Sequence, residues 1–405
     1  MSEQTGPLSG IRVVELGNFI AAPTAGRLLA DFGADVVKVE RPGTGDELRR
    51  WRLHAGDTSL LFRTLGRNKR SVTVDLRRPE GQDIVRALAA RSDVLLENFR
   101  PGTLERWGLG PDELRALNPR LVVVRVSGYG QTGPYRDRPG FGGVAEAIGG
   151  LRALTGYPDR PPTRVGVSLA DSVAGLYAVI GALMGLLRRD REPGANPGEV
   201  VDVALYEAVY SLMESLIPDF EAFGVVRGPA GSALPGVAPS NTYRCADGKY
   251  IVVSGNGDAI FRRLMHAVGR ADLADDPRFA DNAGRVAHAG LLDDAIGAWT
   301  ATLTQEAAEA VLRAASVPCG PILTAPDIAK DPHFEARGMH ERHRVRLDGD
   351  RETEVTFPGI VPTLTERPGR TRALGPELGE HTEAVLAELG VPGEAVARLR
   401  ENGVI

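Results

Sequence analysis

The sequence predicts an α/β protein with a large domain built on an open, parallel, Rossmann-like sheet and a smaller α+β domain. In the N-terminal half, apolar segments of strand length alternate with segments of helix length, as in βαβ units with right-handed crossovers. From about residue 225 the pattern changes to a Gly/Pro-rich loop at 228–236 and two neighbouring strand-like segments, which indicates antiparallel pairing.

The first βαβ unit consists of a buried strand at 11–16, a helix at 21–32 that Gly33 ends, and a strand at 35–40. The alternation then continues. The further predicted elements of the large domain are a helix at 82–90, a strand at 94–97, a helix at 111–117, a strand at 121–127, a long helix from Asp171, a strand at 200–204 and a helix from Tyr206.

The predicted small domain covers residues 225–330 and follows a first part of the large domain at 1–224. Its strands are expected at 241–244 and 250–254, and its helices at 261–268, 291–300 and 305–315. The chain is expected to leave it near 325–338. The remaining segment, 331–405, contains predicted strands at 344–347 and 353–357 and a helix at 381–389.

Composition narrows the class of protein. A chain of 405 residues can form two domains with a large core, and its 42% hydrophobic and 25% charged residues are typical of soluble globular proteins. A net charge of −5 gives no electrostatic case for nucleic-acid binding. The Arg-Arg pairs at 49–50, 77–78 and 188–189 are interpreted as solvated faces.

No targeting, membrane or metal signal is found. The first residues lack a basic-then-apolar signal pattern, and the most apolar segment, 173–187, is short for a membrane span and amphipathic. Two distant cysteines, Cys245 and Cys319, predict no disulfide framework, which suits a cytoplasmic location. The seven histidines show no paired spacing of the zinc type, so no metal is expected.

Asp171 is the residue with the clearest chemical potential. It stands in Gly166-Val-Ser-Leu-Ala-Asp171, at the start of an apolar helical run. The positive end of a helix dipole keeps such a carboxylate ionised, and a positioned carboxylate can act as a covalent nucleophile. Ser168-x-x-Asp171 also matches a capping box, and capping is the commoner role for this pattern. The segment alone leaves both interpretations open.

Two familiar site types are not supported. The loop after the first strand, Gly17–Pro23, has no Gly-x-Gly-x-x-Gly, so a dinucleotide site is disfavoured although Glu40 ends the second strand where such proteins keep an acid. Glu40 is interpreted as structural. Gly-x-Ser-x-Gly is absent, which excludes the nucleophile elbow of α/β-hydrolases.

Six short motifs together point to one family. The motifs are Gly33-Ala-Asp-Val-Val-Lys-Val-Glu-Arg-Pro-Gly43, Asn68-Lys-Arg-Ser71, Glu97-Asn-Phe-Arg-Pro-Gly102, Gly128-Tyr-Gly-Gln-Thr-Gly-Pro134, Val317-Pro-Cys-Gly-Pro321 and Leu378-Gly-Glu-His-Thr382. With these motifs the chain resembles, from about Leu8 to the C-terminus, family III CoA-transferases, the superfamily of formyl-CoA transferase and 2-methylacyl-CoA racemase. The resemblance implies that Asp171 is the catalytic residue. It also implies that 331–405 completes the large domain and that two subunits interlock as a homodimer.

The resemblance also implies a site for CoA or acyl-CoA as substrate, with no tightly bound cofactor. CoA needs cations for its phosphorylated nucleotide and an apolar groove for its arm. The family's contacts carry over to Phe19, Arg41, Val74, Arg77, Asn98 and Arg106. Where formyl-transferring members have a Lys this chain has Pro139, and the neighbouring Arg138 is the candidate to replace it. For each of these residues an ordinary exposed position remains the alternative.

Departures from the family pattern shape the expected reaction. Ile20 replaces a Gln that guards the reacting centre in formyl-CoA transferases, and Phe141-Gly142 replaces their Tyr-Glu and the racemases' His-Asp. A more apolar site implies an acid larger than oxalate or formate. Racemisation needs an acid/base group on each face of the α-carbon, and Phe141 supplies none.

The resulting prediction is a CoA-transferase that moves CoA from an acyl-CoA donor to a free carboxylic, possibly dicarboxylic, acid. Its intermediates would be an aspartyl anhydride and an aspartyl-CoA thioester on Asp171. The loop at 228–236 matches, by position only, the family's glycine-rich loop that covers the site. A 2-methylacyl-CoA racemase or acyl-CoA isomerase, and a non-catalytic CoA-binding protein, remain as alternatives. Neither nucleic acid nor a membrane is an expected partner.

Overall fold

A computed structural model describes residues 6–192, 197–347 and 351–405. Its strands are β1 (Arg12–Glu15), β2 (Asp35–Glu40), β3 (His54–Ala55), β4 (Thr58–Ser59), β5 (Lys69–Thr73), β6 (Val94–Glu97), β7 (Val122–Ser127), β8 (Val200–Ala204), β9 (Ser240–Arg244), β10 (Tyr250–Ser254), β11 (Cys319–Pro321), β12 (His340–Arg346) and β13 (Glu352–Pro358).

The helices are also numbered in chain order, and short 3₁₀ turns occur at Glu47–Arg50 and Pro277–Phe279. They are α1 (Ala21–Asp31), α2 (Leu60–Leu65), α3 (Pro79–Ala89), α4 (Thr103–Arg106), α5 (Pro111–Leu117), α6 (Gly142–Ile148), α7 (Leu151–Leu154), α8 (Leu169–Arg191), α9 (Leu205–Tyr210), α10 (Leu216–Phe223), α11 (Asp258–Ala267), α12 (Ala271–Ala274), α13 (Asn282–Ala287), α14 (Ala289–Thr300), α15 (Gln305–Ala314), α16 (Ala325–Ile328), α17 (Pro332–Ala336), α18 (Thr382–Glu388) and α19 (Gly393–Glu401).

The chain divides into two compact units. The first unit contains the residues up to Leu151, then Val165–Ala222 and Glu335–Ile405. The second contains Arg152–Arg164 and Phe223–Phe334. The sequence analysis had assigned residues 152–164 to the large domain, together with all other residues before 225.

A six-stranded parallel sheet forms the centre of the first unit, with strand order β5-β2-β1-β6-β7-β8. The predicted α/β class and open parallel sheet are confirmed. Strand β7 is buried along its whole length, as expected for an interior strand covered on both faces. The strand order reverses between β1 and β6, so the loops after these two strands diverge and leave a crevice, the usual ligand position in such sheets.

Strand β5 was missed by the sequence analysis. Its sequence, Lys69-Arg-Ser-Val-Thr73, opens with two cations, which weakens the apolar strand pattern. Lys69 is nevertheless 4% exposed and bonds to the carboxylate of Glu15 at 2.6 Å. A buried acid on β1, the second strand from β5 in the sheet, therefore explains why a cation is buried here against the hydrophobic pattern.

Helix α8 lies against the sheet and α1 through a row of small residues. Ala170, Ala174, Ala178 and Ala182 recur every fourth position and are completely buried. Such spacing places them on one face, where their small size permits close helix packing. By length and composition α8, with a mean hydropathy of 1.7, is the one helix in the described ranges that could cross a membrane.

The second unit contains the three-stranded antiparallel sheet β11-β10-β9. The predicted pairing of β9 with β10 is confirmed, while β11, three residues long, was missed.

The prediction that the Arg-Arg pairs are solvated is wrong for Arg49 and Arg189, which are 4% and 5% exposed. Arg189 pairs with Asp93 at 2.9 Å, and Arg49 with Glu40 at 2.8 Å, so carboxylates draw both guanidinium groups inward.

Candidate active site

A cavity of about 240 Å³ opens at the carboxyl ends of strands β1, β2, β5 and β6. This is the edge at which open α/β sheets bind ligands. Its floor and walls combine apolar side chains with a few charged ones, a composition suited to a molecule with an apolar arm and an anionic end. The lining residues are Leu16, Asn18, Phe19, Val39, Glu40, Arg41, Gly45, Glu47, Val74, Asp75, Leu76, Arg77, Phe99 and Trp107.

Four of the seven predicted CoA contacts line this one cavity, namely Phe19, Arg41, Val74 and Arg77. They come from loops that are up to 58 positions apart in the chain, and the parallel strands bring them together. Arg41 is exposed and has no ionic or hydrogen-bonded side-chain partner among the residues that the structure describes. Its charge is therefore available for a phosphate.

Arg77 is held in place before any ligand arrives. Its guanidinium donates to both carboxylate oxygens of Asp75, at 2.9 and 2.7 Å. The hydrogen bonds that Arg77 donates to Asp75 raise the pKa of Arg77, so the group stays charged. A bidentate pair fixes the plane of a guanidinium, which leaves its outer edge free to meet an anion.

The other three predicted contacts lie outside the cavity lining. Asn98 accepts from the backbone N–H of Asn18 at 2.8 Å and donates to its carbonyl at 2.7 Å. Arg106 is exposed and donates to Thr103 Oγ1 at 3.0 Å. The guanidinium of Arg138 stacks 3.5 Å from the ring centre of Tyr135. Direct contact of all seven side chains with CoA stays a prediction.

Asp171 lies in the first turn of α8 and is half-buried. A Cβ built on Gly142 would stand 2.0 Å from Asp171 Oδ2, so the carboxylate rests directly against the first residue of α6. A side chain at this position would displace the carboxylate from the place that it occupies here. Ser168 is the N-cap residue of α8, but its side chain forms no cap hydrogen bond, so the serine half of the predicted capping box is absent.

An aromatic row connects the cavity with this carboxylate. The ring of Phe19, which lines the cavity, lies 5.3 Å from Trp51 and 5.7 Å from Phe141 between ring centres. Phe141 directly precedes Gly142 and is 62% exposed. Such a row can shield a reacting group from water while leaving the approach from the cavity open. Ile20, in contrast, is buried with Leu48 and Phe62 and turns away from this surface.

A network of six buried charged side chains lies under the cavity, and the sequence analysis missed it. Three acids and three bases balance one another, so the network carries no net charge. The members are Glu15, Glu40, Asp46, Lys38, Arg49 and Lys69, each 4% exposed or less. A signal existed in the sequence, because Lys38 and Glu40 interrupt the apolar residues of β2.

Lys38 is the centre of this network. Its Nζ lies 2.9 Å from Glu15 Oε1 and 2.8 Å from Asp46 Oδ2. Burial alone would lower the pKa of Lys38, but the carboxylates of Asp46, Glu15 and Glu40 outweigh it and raise the pKa. Burial lowers the pKa of Lys69 to about 8, against the opposing effect of Glu15. Glu40 accepts from Arg49 and Ser71, in keeping with the structural role expected of it.

Comparison with known proteins agrees with this architecture. The model of CoA-transferase family III matches residues 8–382. The chain is 48% identical to a succinyl-CoA–D-citramalate CoA-transferase of Chloroflexus aurantiacus, with 98% of both chains covered. It is 44% identical to the beta subunit of a succinyl-CoA–L-malate CoA-transferase of the same organism, over 99% of this chain and 98% of that one.

A solved structure shows the same fold. The crystal structure of a CAIB/BAIF family protein from Brucella suis superposes with a TM-score of 0.82 at 35% identity, covering 95% of this chain and 100% of that one. The sequence resemblance, the match over nearly the whole chain and the shared fold agree. The protein therefore belongs to CoA-transferase family III.

Proposed function

We propose that the protein moves CoA from succinyl-CoA to a hydroxylated dicarboxylic acid of four or five carbons, of the malate and citramalate type. The named relatives at 48% and 44% identity act on such acids and support this choice. The observation that carries the chemistry is the position of Asp171. Its carboxylate rests on Gly142, in the first turn of a 23-residue helix and beside an aromatic row that reaches the cavity.

The reaction would pass through four acyl transfers. A carboxylate oxygen of Asp171 attacks the thioester carbonyl, and the C–S bond breaks to release CoA thiolate and leave a succinyl-aspartyl anhydride. The thiolate attacks the aspartyl carbonyl, which frees succinate and forms an aspartyl-CoA thioester. The acceptor carboxylate then displaces the thiolate to form a second anhydride. Finally the thiolate attacks the acceptor carbonyl, which yields the new thioester and restores Asp171.

The helix position of Asp171 favours this sequence of steps. The N-terminal end of α8 stabilises the ionised carboxylate that begins and ends the cycle. Anhydride and thioester intermediates hydrolyse if water reaches them, and Trp51, Phe19 and Phe141 place apolar surface beside them. In this proposal the chain itself has to supply no acid or base, since no proton is gained or lost over the cycle.

CoA would bind with its nucleotide at the arginines of the cavity and its arm along the apolar wall. Arg41 and Arg77 are the proposed phosphate contacts, while Phe19 and Val74 line the path of the arm. Arg106, Arg138 and Asn98 complete the proposed set. No tightly bound cofactor is part of the proposal.

The acceptor's second carboxylate requires a cation near the aromatic row. Arg52 directly follows Trp51, is exposed, and has no side-chain hydrogen bond or ion pair within the described part of the chain. Its backbone has a φ of 62°, a left-handed conformation that is uncommon for a residue with a long side chain. We propose that Arg52 binds this distal carboxylate.

The protein is further proposed to be an interlocked homodimer. The small residues described above form the buried face of α8. The other face carries large apolar side chains that are 38–65% exposed. An apolar face of this kind usually marks an interface, and a second copy of the chain is the proposed cover. The exposed residues are Leu176, Tyr177, Ile180, Leu183, Met184 and Leu187.

A cytoplasmic location belongs to the same proposal. Cys245 and Cys319 are both free thiols. Thiols persist in reducing compartments, where acyl-CoA substrates are also used.

The two alternatives make different demands on this site. A racemase needs a second proton-transferring group. Where the racemases have His-Asp, this chain has Phe141-Gly142, and neither residue can transfer a proton. A non-catalytic CoA-binding protein would keep the arginines of the cavity but would not require a carboxylate in the first turn of α8.

The deciding experiment incubates the purified protein with succinyl-CoA and a panel of carboxylic acids, and identifies new thioesters by mass spectrometry. Transfer to malate or citramalate is expected, with much weaker transfer to monocarboxylic acids of equal length. Arg52→Leu should reduce transfer between succinyl-CoA and the dicarboxylic acids by about tenfold or more, whereas transfer between donors and acceptors that have no second carboxylate should be little affected. Deuterium uptake at the α-carbon of a 2-methylacyl-CoA, without transfer, would instead identify a racemase.

A further inference from the structure

The loop that follows β1 is held by other side chains at three consecutive residues, Gly17 to Phe19. Lys38 Nζ donates to the Gly17 carbonyl at 2.7 Å. The Asn98 amide bonds both backbone groups of the middle residue, at 2.8 and 2.7 Å. Asp46 Oδ1 accepts from the Phe19 N–H at 3.1 Å. Three separate elements thus fix one short turn.

The turn needs this support because Phe19 adopts a left-handed conformation with a φ of 62°. For a bulky residue such a conformation costs about 1–3 kcal/mol and persists only where the surroundings impose it. Its effect is to aim the ring between Trp51 and Phe141. The side chain that connects the cavity with the reacting carboxylate is therefore placed by the backbone clamps.

Two of the clamps belong to one buried ion pair. Lys38 is 1% exposed, Asp46 is 0% exposed, and their charged atoms are 2.8 Å apart. Asp46 uses its other oxygen for the Phe19 N–H and for the Leu48 N–H, at 2.9 Å. Buried ion pairs stabilise proteins little compared with apolar side chains of the same size. Their presence here suggests a positional purpose.

We propose that Lys38 and Asp46 are positioning residues for CoA transfer, and that they act through the Gly17 carbonyl and the Phe19 N–H to hold the Phe19 ring beside the reacting centre. The expected effects on transfer and hydrolysis rest on the proposed function. The expected effect on the position of the Phe19 ring does not depend on that function. Neither residue touches the substrates in this proposal.

The kinetic consequence is a change in the fate of the intermediates. If the ring of Phe19 shifts by about 1 Å, transfer should slow by about tenfold to a hundredfold. Water should also reach the aspartyl intermediates more often, so the ratio of succinyl-CoA hydrolysis to CoA transfer should rise by about tenfold. A loss of stability alone would reduce the amount of folded enzyme and leave this ratio unchanged.

The central test compares three variants. Asp46→Asn keeps an oxygen that can accept from the Phe19 N–H, whereas Asp46→Ala removes it, so the hydrolysis ratio should rise much more in the alanine variant. The double variant Lys38→Met/Asp46→Asn keeps the remaining charges balanced and should fold, yet its ratio should rise because the Gly17 clamp is lost. Should Asp46→Ala fail to fold, the comparison of Asp46→Asn with the double variant decides.

Arg67→Met provides the matched control. Arg67 and Asp31 form another buried pair in the first unit, 2.7 Å apart and 1% and 0% exposed, without contact to the turn. This variant should lose stability but keep the wild-type ratio. A normal ratio in Asp46→Ala and in the double variant, or an equal rise in Arg67→Met, would overturn the proposal.

A second measurement needs no substrate. In a background with Trp107→Phe and Trp299→Phe, Trp51 is the only tryptophan left, and its fluorescence reports on the Phe19 ring that it contacts. Acrylamide quenching should increase in Asp46→Ala and stay constant in Arg67→Met. Constant quenching in both would overturn the positioning role even if the transferase activity is found. A change in quenching without wild-type transfer would retain the clamp and reject the proposed function.

Discussion

At the scale of single residues, the proposed chemistry rests on a carboxylate that lies against a residue without a side chain. Asp171 could be named from the sequence, but the reason for its position is the bare Cα of Gly142 on another helix. Where the family pattern has Glu or Asp, this chain has Gly142, so no second acidic side chain stands at this position beside Asp171.

Replacing Asp171 by alanine should abolish CoA transfer while CoA binding changes by no more than a few fold. Loss of a sole nucleophile usually lowers the rate by about 10⁴-fold or more. Steady-state kinetics and calorimetric titration with CoA measure the two effects separately. Hydroxylamine added during turnover should modify Asp171 in the wild type. An alanine variant that keeps more than a few per cent of the activity would reduce Asp171 to a helix-capping residue.

Gly142→Ala should impair transfer through steric displacement of the carboxylate. The added Cβ would stand 2.0 Å from Asp171 Oδ2, so the side chain must move, and a displacement of about 1 Å can slow a reaction by about 10²-fold. Gly166→Ala is the control, because a Cβ there meets no atom within 4 Å. Comparable rates for both variants would show that the carboxylate has space to relocate.

Glu97 should make stability depend on pH. Burial raises the pKa of this carboxyl from its ordinary value of 4.5 to about 7, in spite of the nearby Arg125. The folded state therefore binds the proton more tightly than the unfolded chain, and the contribution of Glu97 to stability falls as pH rises from about 4.5 to 7. Relative to wild type, Glu97→Gln should gain about 3 kcal/mol in unfolding free energy across this interval. Parallel profiles in urea titrations would contradict this assignment.

At the scale of elements, α8 has two faces with different tasks. The alanines at 170, 174, 178 and 182 allow close packing inside the first unit, whereas the opposite face exposes large apolar side chains. A helix that served only the core of one subunit would have no use for the second face. The long apolar helix was anticipated from sequence, but which of its faces stays uncovered depended on the packing.

Met184→Glu should therefore impair assembly. Met184 is 65% exposed in the single chain, and a charge within an apolar interface leaves an unpaired buried carboxylate. After refolding from urea, the yield of dimer measured by sedimentation should fall several fold. Leu117→Glu, on α5 and 52% exposed, is the control and should refold as the wild type does. Equal yields from both variants would mean that this face of α8 meets only solvent.

At the scale of the whole molecule, the first unit is assembled from three separate stretches of chain. A chain that leaves and re-enters a unit can pass around a partner, and the proposed interlocked dimer uses this path. Linked rings separate only if a chain opens, so the sedimentation coefficient should stay constant from micromolar to nanomolar protein. A dimer with a modest interface would dissociate over part of that range. Active monomers on dilution would exclude interlocking.

The sequence alone determined the fold class, most elements of the parallel sheet, the family and the candidate nucleophile, because strand alternation and local motifs are properties of neighbouring residues. The predicted borders of β2, β6 and α5 match the structure residue for residue. Only the tertiary structure decided which distant loops form the cavity, that Gly142 lies against Asp171, and that Lys38, Lys69 and Arg49 are buried with acids. Contacts between side chains on different strands and loops depend on strand order and register, which no local pattern contains.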